Sequence, residues 1–167
     1  LTNEECVIRN VPDISSCRNL AEIVAIHGGR VEWRGRNEVS IRVKSIKEVE
    51  IPEEMFFHTS GGVLAIPLLV NRLGKCIVEN RSGRNDTGGD QIGRPFNLDL
   101  YPQVGIGVTK ENGKLIFTSL GDLSFKYDAR GKFATSVIGL FSALGKVGVS
   151  EINNPIEVEE FEDTLNM

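Results

Sequence analysis

The residue types most able to do chemistry are concentrated in one stretch, Arg81 to Pro95. It reads Arg81-Ser82-Gly83-Arg84-Asn85-Asp86-Thr87-Gly88-Gly89-Asp90-Gln91-Ile92-Gly93-Arg94-Pro95, with four glycines, three arginines and two carboxylates. Glycines let backbone N–H groups come close to an anion. Arginine offers a planar fork that matches phosphate or carboxylate. The stretch therefore suits an anionic ligand, phosphate or carboxylate. Composition alone favours a solvated surface loop, because the spacing is neither a P-loop nor a dinucleotide fingerprint. Gly105-Ile106-Gly107 is better read as strand and hairpin glycine.

Other chemistries find less support. The cysteines Cys6, Cys17 and Cys76 are an odd set without a C-x-x-C pair, which argues against a disulfide framework or a zinc site. They are expected to be buried, reduced thiols packing as small hydrophobes. His27 and His58, the only histidines, have no ligand-spaced neighbours. No metal and no cofactor is expected.

The elements that must position the glycine-rich stretch show a repeat. Strand-like stretches run from Glu5 to Pro12, from Lys75 to Ser82 and from Lys146 to Asn153. The spacings are 75 − 5 = 70 and 146 − 75 = 71. Each alternates apolar residues and runs into an Asn-containing turn, as a half-buried strand does. Apolar helices are expected before the second and third strands, over Val63–Leu73 and Phe133–Leu144, closed by Gly74 and Gly145 as C′ residues. Pro67 should start or kink the first of these. After strand one a helix is expected from Ser16, capped by Ser15 or Ser16, and after strand three Val158, Phe161 and Leu165 mark one face of another. Val39–Val43 and Leu115–Thr118 complete the sheets, and Asn112-Gly113 is a type I′ hairpin turn. The expected units span approximately 1–58, 59–128 and 129–167. Three units of about 70 residues would make roughly 210, so the chain reads as a segment incomplete at both ends.

Composition bounds the rest. A chain of 167 residues, 40% hydrophobic and 25% charged, is an ordinary globular domain. The net charge of −4 argues against nucleic acid as a partner. No apolar run reaches the ~18 residues of a membrane span, and no signal pattern opens the chain. A cytoplasmic location is expected.

The segment Gly88-Gly89-Asp90-Gln91-Ile92-Gly93-Arg94-Pro95, followed by Asn97-Leu98, resembles the active-site loop of UDP-N-acetylglucosamine enolpyruvyl transferases. That family carries Gly-Gly-Cys or Gly-Gly-Asp, then Ile-Gly, Arg-Pro and Asp-Leu. Arg9-Asn10-Val11-Pro12, Ile66-Pro67-Leu68-Leu69 and Asn153-Asn154-Pro155-Ile156 match in the same order. The resemblance implies an α/β (α+β) domain of three repeated βαβαββ-type units, helices inside and sheets outside, with a second similar domain absent from this chain. It implies transfer of the enolpyruvyl group of phosphoenolpyruvate to the 3′-hydroxyl of a UDP-sugar, on the way to peptidoglycan.

By the same resemblance, Asp90 stands at the family's Cys/Asp position as a general acid–base. Arg94 binds the phosphate of phosphoenolpyruvate, with Arg84 or Arg130 as further cations. Pro95, Asn97 and Leu98 fall where the nucleotide is held, and Ala129, Arg130 and Gly131 where the UDP-sugar is contacted. Several positions depart from the pattern. The family's early Ser-Gly-x-Lys-Asn motif is not in the chain, and Thr59-Ser60-Gly61-Gly62 replaces a segment that carries an arginine. One residue is missing between Gly93 and Arg94, and Asn97 replaces an aspartate. The segment alone is expected to be inactive. A diverged domain of the same fold, binding an anion, a nucleotide sugar or another subunit without catalysis, is the alternative.

Overall fold

The computed structural model describes residues 3–47, 49–57, 62–81, 98–131, 133–157 and 162. The chain divides into two compact units, residues 1–62 and 63–167.

In the first unit, β1 (Cys6–Arg9) is followed by α1 (Ser15–Ile26), then by the hairpin β2 (Arg30–Arg34) and β3 (Glu38–Arg42). The hairpin's second strand is central, giving an antiparallel sheet of order β1-β3-β2. Register places Ile8, Val39 and Trp33 side by side on one face. Arg9, Glu38 and Arg34 line up on the other, where Arg9 Nε meets Glu38 Oε2 at 3.0 Å. This is the period-2 alternation of the sequence turned into two chemically distinct faces. Helix α1 packs against β2, and Arg18 lies 4.2 Å over the Trp33 ring while pairing with Asp13. The expected serine cap is not formed. The N-cap is Ile14, without a side-chain cap, and Ser15 and Ser16 lie inside the helix. At the other end His27 is buried and its Nδ1–H donates to Ile23 O at 2.6 Å. Strand β4 (Glu50–Ile51) and the short helix α2 (Glu53–Phe57) complete the unit, with Ile51 and Phe56 buried. All four β1 residues are exposed, so the half-buried strand expected there is present as a strand but not as a buried one.

Helix α3 (Gly62–Leu73) starts at the boundary between the units and stops at Gly74, which takes φ 75°. Pro67 is the sixth residue of this helix, past its first turn rather than at its start. The second unit continues with β5 (Lys75–Glu79), β6 (Ile106–Glu111) and β7 (Lys114–Ser119). Again the hairpin's second strand is central, in the order β5-β7-β6. Asn112 and Gly113 both have positive φ, 50° and 72°, the conformation a type I′ hairpin demands. Cys76 and Val78 of β5 face the same side as their partners Phe117 and Leu115 of β7, and all four are buried. Tyr101 completes this core edge-on to Phe117, with ring centroids 4.9 Å apart. Each large apolar side chain buried in this way contributes about 1.5–3 kcal/mol.

The rest of the unit is a β–α–β element. Strand β8 (Lys126–Asp128), helix α4 (Phe133–Ala143) and β9 (Glu151–Asn153) run in order, with β8 and β9 parallel. Two expectations are corrected here. The third strand does not begin at Lys146: Val147 makes only an isolated bridge with Leu123, and the ladder starts at Glu151. Lys146 instead sends Nζ to the carbonyl oxygens of Gly121 (2.5 Å) and Gly105 (3.5 Å). Gly145 is not a left-handed C′ residue, since positive φ is found at Gly74 and Gly148 but not there. Glycine is required at 145 for space, because a Cβ would stand 2.3 Å from Asn71 Cγ. The helix expected through Val158, Phe161 and Leu165 lies outside the described residues.

Candidate active site

Asp90, Arg94, Pro95 and Asn97, with Arg84, lie outside the described residues, so the site is built from what flanks them. On one side, β5 ends at Glu79, whose Oε1 accepts from Arg81 at 2.6 Å. Between them the Asn80 backbone N–H donates to Gly113 O at 2.8 Å, fixing this root of the stretch to the β6–β7 turn. On the other side, Leu98 begins a 3-10 turn (Leu98–Leu100) and is buried, as are Leu100 and Tyr101. A second 3-10 turn (Pro102–Val104) follows at once, its end held by Ile106 N–H donating to Tyr101 O at 2.9 Å. The described residues on either side of the glycine-rich stretch are therefore fixed by backbone hydrogen bonds.

Strand β8 packs against the Pro102–Val104 turn, so the second expected segment, Ala129–Gly131, begins at the end of a strand that borders the turns following Leu98. Leu98 anchors as a buried apolar residue, whereas Arg130 and Gly131 are exposed and Ala129 is buried. The local conformation is unusual. Arg130 and Gly131 have φ 53° and 63° in succession. Among the described residues the other non-glycine positions with positive φ are Asn10, Asn112 and Asn154, all of the type that tolerates that region best. An arginine held there costs on the order of 1–3 kcal/mol, so surrounding bonds must impose it.

Those bonds are present. Asp128 Oδ1 accepts from Arg130 N–H at 3.0 Å and from Asn154 Nδ2 at 3.1 Å. Gly131 N–H donates to Asn154 O at 2.7 Å, and Ala129 N–H to Asn153 O at 2.9 Å. Thr135 Oγ1 donates to Ala129 O at 2.5 Å. The Arg130 amide, then Asn154, hold the Asp128 carboxyl below the ordinary aspartate range, so it is an anion at neutral pH. Neighbouring Tyr127 is pushed up by burial. Asp128 does not stand out in the sequence, and Asn154 does so only within the Asn153–Ile156 match. The signal was there, as Asp-x-x-Gly ahead of a helix start, the pattern of an Asx turn.

Elsewhere the thiols separate. Cys76 is buried, and burial pushes its thiol up to about 12. Cys6 is exposed and Cys17 partly so, which corrects the expectation of three buried thiols. Among the described residues no group of three His, Cys, Asp or Glu side chains could hold a metal ion. No helix among them is long and apolar enough to cross a membrane.

The fold is that of an enolpyruvyl transferase: the solved structure of the enolpyruvyl transferase NikO from Streptomyces tendae superposes with a TM-score of 0.70 over 99% of this chain, at 16% identity, and 38% of its own chain is covered. In sequence the chain is a relative of the UDP-N-acetylglucosamine 1-carboxyvinyltransferases. It is 30% identical over 172 aligned residues to that protein of Bradyrhizobium diazoefficiens, covering 99% of this chain and 38% of the relative. To the Prochlorococcus marinus NATL1A protein of the same name it is 27% identical over 173, covering 100% of this chain and 37% of that one. The chain thus spans well under half the length of the curated relatives it matches. No family model matches.

Proposed function

We propose that the intact protein transfers the enolpyruvyl group of phosphoenolpyruvate to the 3′-hydroxyl of UDP-N-acetylglucosamine, in peptidoglycan precursor synthesis. The observation that carries this reading is the sequence similarity, which runs through 99% of the chain at 30% identity and includes the glycine-rich stretch.

The sugar oxygen forms a bond to C2 of phosphoenolpyruvate, the bond between C2 and the phosphate oxygen breaks, and the hydroxyl proton leaves with inorganic phosphate. Such a reaction needs a group to carry protons to and from the methylene carbon and the departing phosphate, and cations to hold that phosphate. Asp90 supplies the first and Arg94 the second, with Arg84 as an additional cation. Pro95, Asn97 and Leu98, with Ala129, Arg130 and Gly131, hold the UDP-sugar. No metal or cofactor takes part in this scheme. A second domain of similar fold closes the site, and this stretch of chain alone does not turn over.

The test is phosphate release by the intact protein from phosphoenolpyruvate, with and without UDP-N-acetylglucosamine. Release that requires both, with Asp90→Asn losing turnover but retaining binding, is the expected result. Binding of UDP-N-acetylglucosamine without any release would leave a non-catalytic nucleotide-sugar domain in its place.

A further inference from the structure

We propose that Asp128 and Asn154 are positioning residues, which hold the Ala129–Gly131 turn in the shape that meets the nucleotide sugar. This rests on the assignment of UDP-N-acetylglucosamine to that turn. Neither residue belongs to the contact set inferred from the resemblance, and the case for them comes from the geometry.

One carboxylate oxygen serves two donors that lie 24 residues apart in the chain, Arg130 N–H and Asn154 Nδ2. Asn154 in turn receives Gly131 N–H through its own carbonyl oxygen. The two consecutive left-handed residues are therefore clamped from both sides, and each of their amides is engaged. With both amides engaged, and the Ala129 carbonyl taken by Thr135, the exposed Arg130 side chain is the group the turn offers outward. Asn154 itself has φ 46°, so its backbone is set to reach Gly131 while its side chain reaches Asp128. Without the carboxylate oxygen, Arg130 loses the partner that offsets its unfavourable backbone, and the turn relaxes toward negative φ. A ligand contact made by Arg130 or Gly131 then has to pay for re-forming it.

Binding of UDP-N-acetylglucosamine to the intact protein, measured by calorimetry, tests this. Asp128→Ala is expected to weaken binding at least tenfold, while Asp128→Asn, which keeps the accepting oxygen, stays within about threefold of wild type. Asn154→Gly keeps the left-handed backbone and deletes the donor, and is expected to fall between them. The KM for the nucleotide sugar should rise with these losses, with the KM for phosphoenolpyruvate unchanged. Wild-type affinity in Asp128→Ala, or equal losses in Asp128→Ala and Asp128→Asn, would overturn the positioning role while the function stands. No binding by the wild-type protein would overturn the assignment of the turn and this role with it.

Discussion

Asn71 reaches across to the end of a helix seventy residues further along: its Nδ2 donates to Phe141 O at 2.7 Å and to Ser142 O at 3.3 Å. Asn71 lies in the last turn of α3 and the acceptors lie in the last turn of α4. The final carbonyls of a helix have no partner within it, and here a side chain of the other helix supplies one. Gly145, just beyond α4, gives Asn71 room, since a Cβ there would stand 2.5 Å from its Oδ1 and 2.7 Å from its Cβ.

A double-mutant cycle follows from this contact. Asn71→Ala removes two bonds to part-buried carbonyls and is expected to cost about 1–2 kcal/mol, a fall of roughly 2–8 °C in Tm. Gly145→Ala forces Asn71 aside and is expected to cost a similar ~1–3 kcal/mol. The double variant removes the clash with Cγ and Oδ1 while the 2.7 Å approach to Cβ remains, so its loss should be smaller than the sum. Strict additivity in urea denaturation would show that the two positions do not touch.

The three thiols should react in order of exposure. Only a thiolate attacks a maleimide at a useful rate, and Cys76 is both buried and pushed up to about 12. At pH 8 Cys6 is expected to label first and Cys17 more slowly. Cys76 should label only after denaturant is added, which mass spectrometry of tryptic peptides would show. Labelling of Cys76 as fast as Cys6 in the native protein would contradict the packing of β5 against β7.

Much of the fold could be read from the chain because its signals were local. The Asn112-Gly113 turn, the alternation of Cys76 and Val78, and the apolar run ending at Gly74 each need only a few neighbouring residues. The errors came where a distant partner decided. Lys146-Val147-Gly148-Val149 alternates as a strand should, yet Lys146 is committed to Gly105 and Gly121, Gly148 takes φ 95°, and Val147 and Val149 are 74% and 89% exposed. The strand therefore begins five residues late. Gly145 resembled a helix-stopping glycine, but Asn71 dictates it. For the site, the arginines and carboxylates of 81–95 drew the eye by composition, whereas Asp128 and Asn154 are joined only by the fold. A bond between residues 26 apart leaves no periodic trace.

The proposed placing of Asp90 at the family's Cys/Asp position carries a pharmacological prediction. Fosfomycin acts by alkylating a thiol, and a carboxylate is a far weaker nucleophile toward it. If the proposed activity is present, phosphate release should be unchanged after preincubation with fosfomycin, while Asp90→Cys should become covalently modified and lose activity. Covalent inactivation of the wild-type protein, mapped to Asp90 or to Cys6, Cys17 or Cys76, would contradict it.

The pH dependence of stability should show the carboxylates that the fold has claimed. Glu5 is held below its ordinary range, chiefly by the Ser40 hydroxyl and then by Arg34, and Asp128 by the Arg130 amide and Asn154. For a carboxyl whose folded value is depressed, the stability gained is complete above its unfolded value, about 4, and is lost as pH falls through the folded value. Both groups are solvent-exposed, so the contribution of each is small and screened. The urea midpoint is expected to hold steady from pH 7 to about 5 and to decline below about 4. Asp128→Asn, which keeps the acceptor but cannot titrate, should show a shallower decline over that acid range. A decline identical to wild type would mean that the Asp128 carboxylate is no better stabilised in the folded protein than in the unfolded chain.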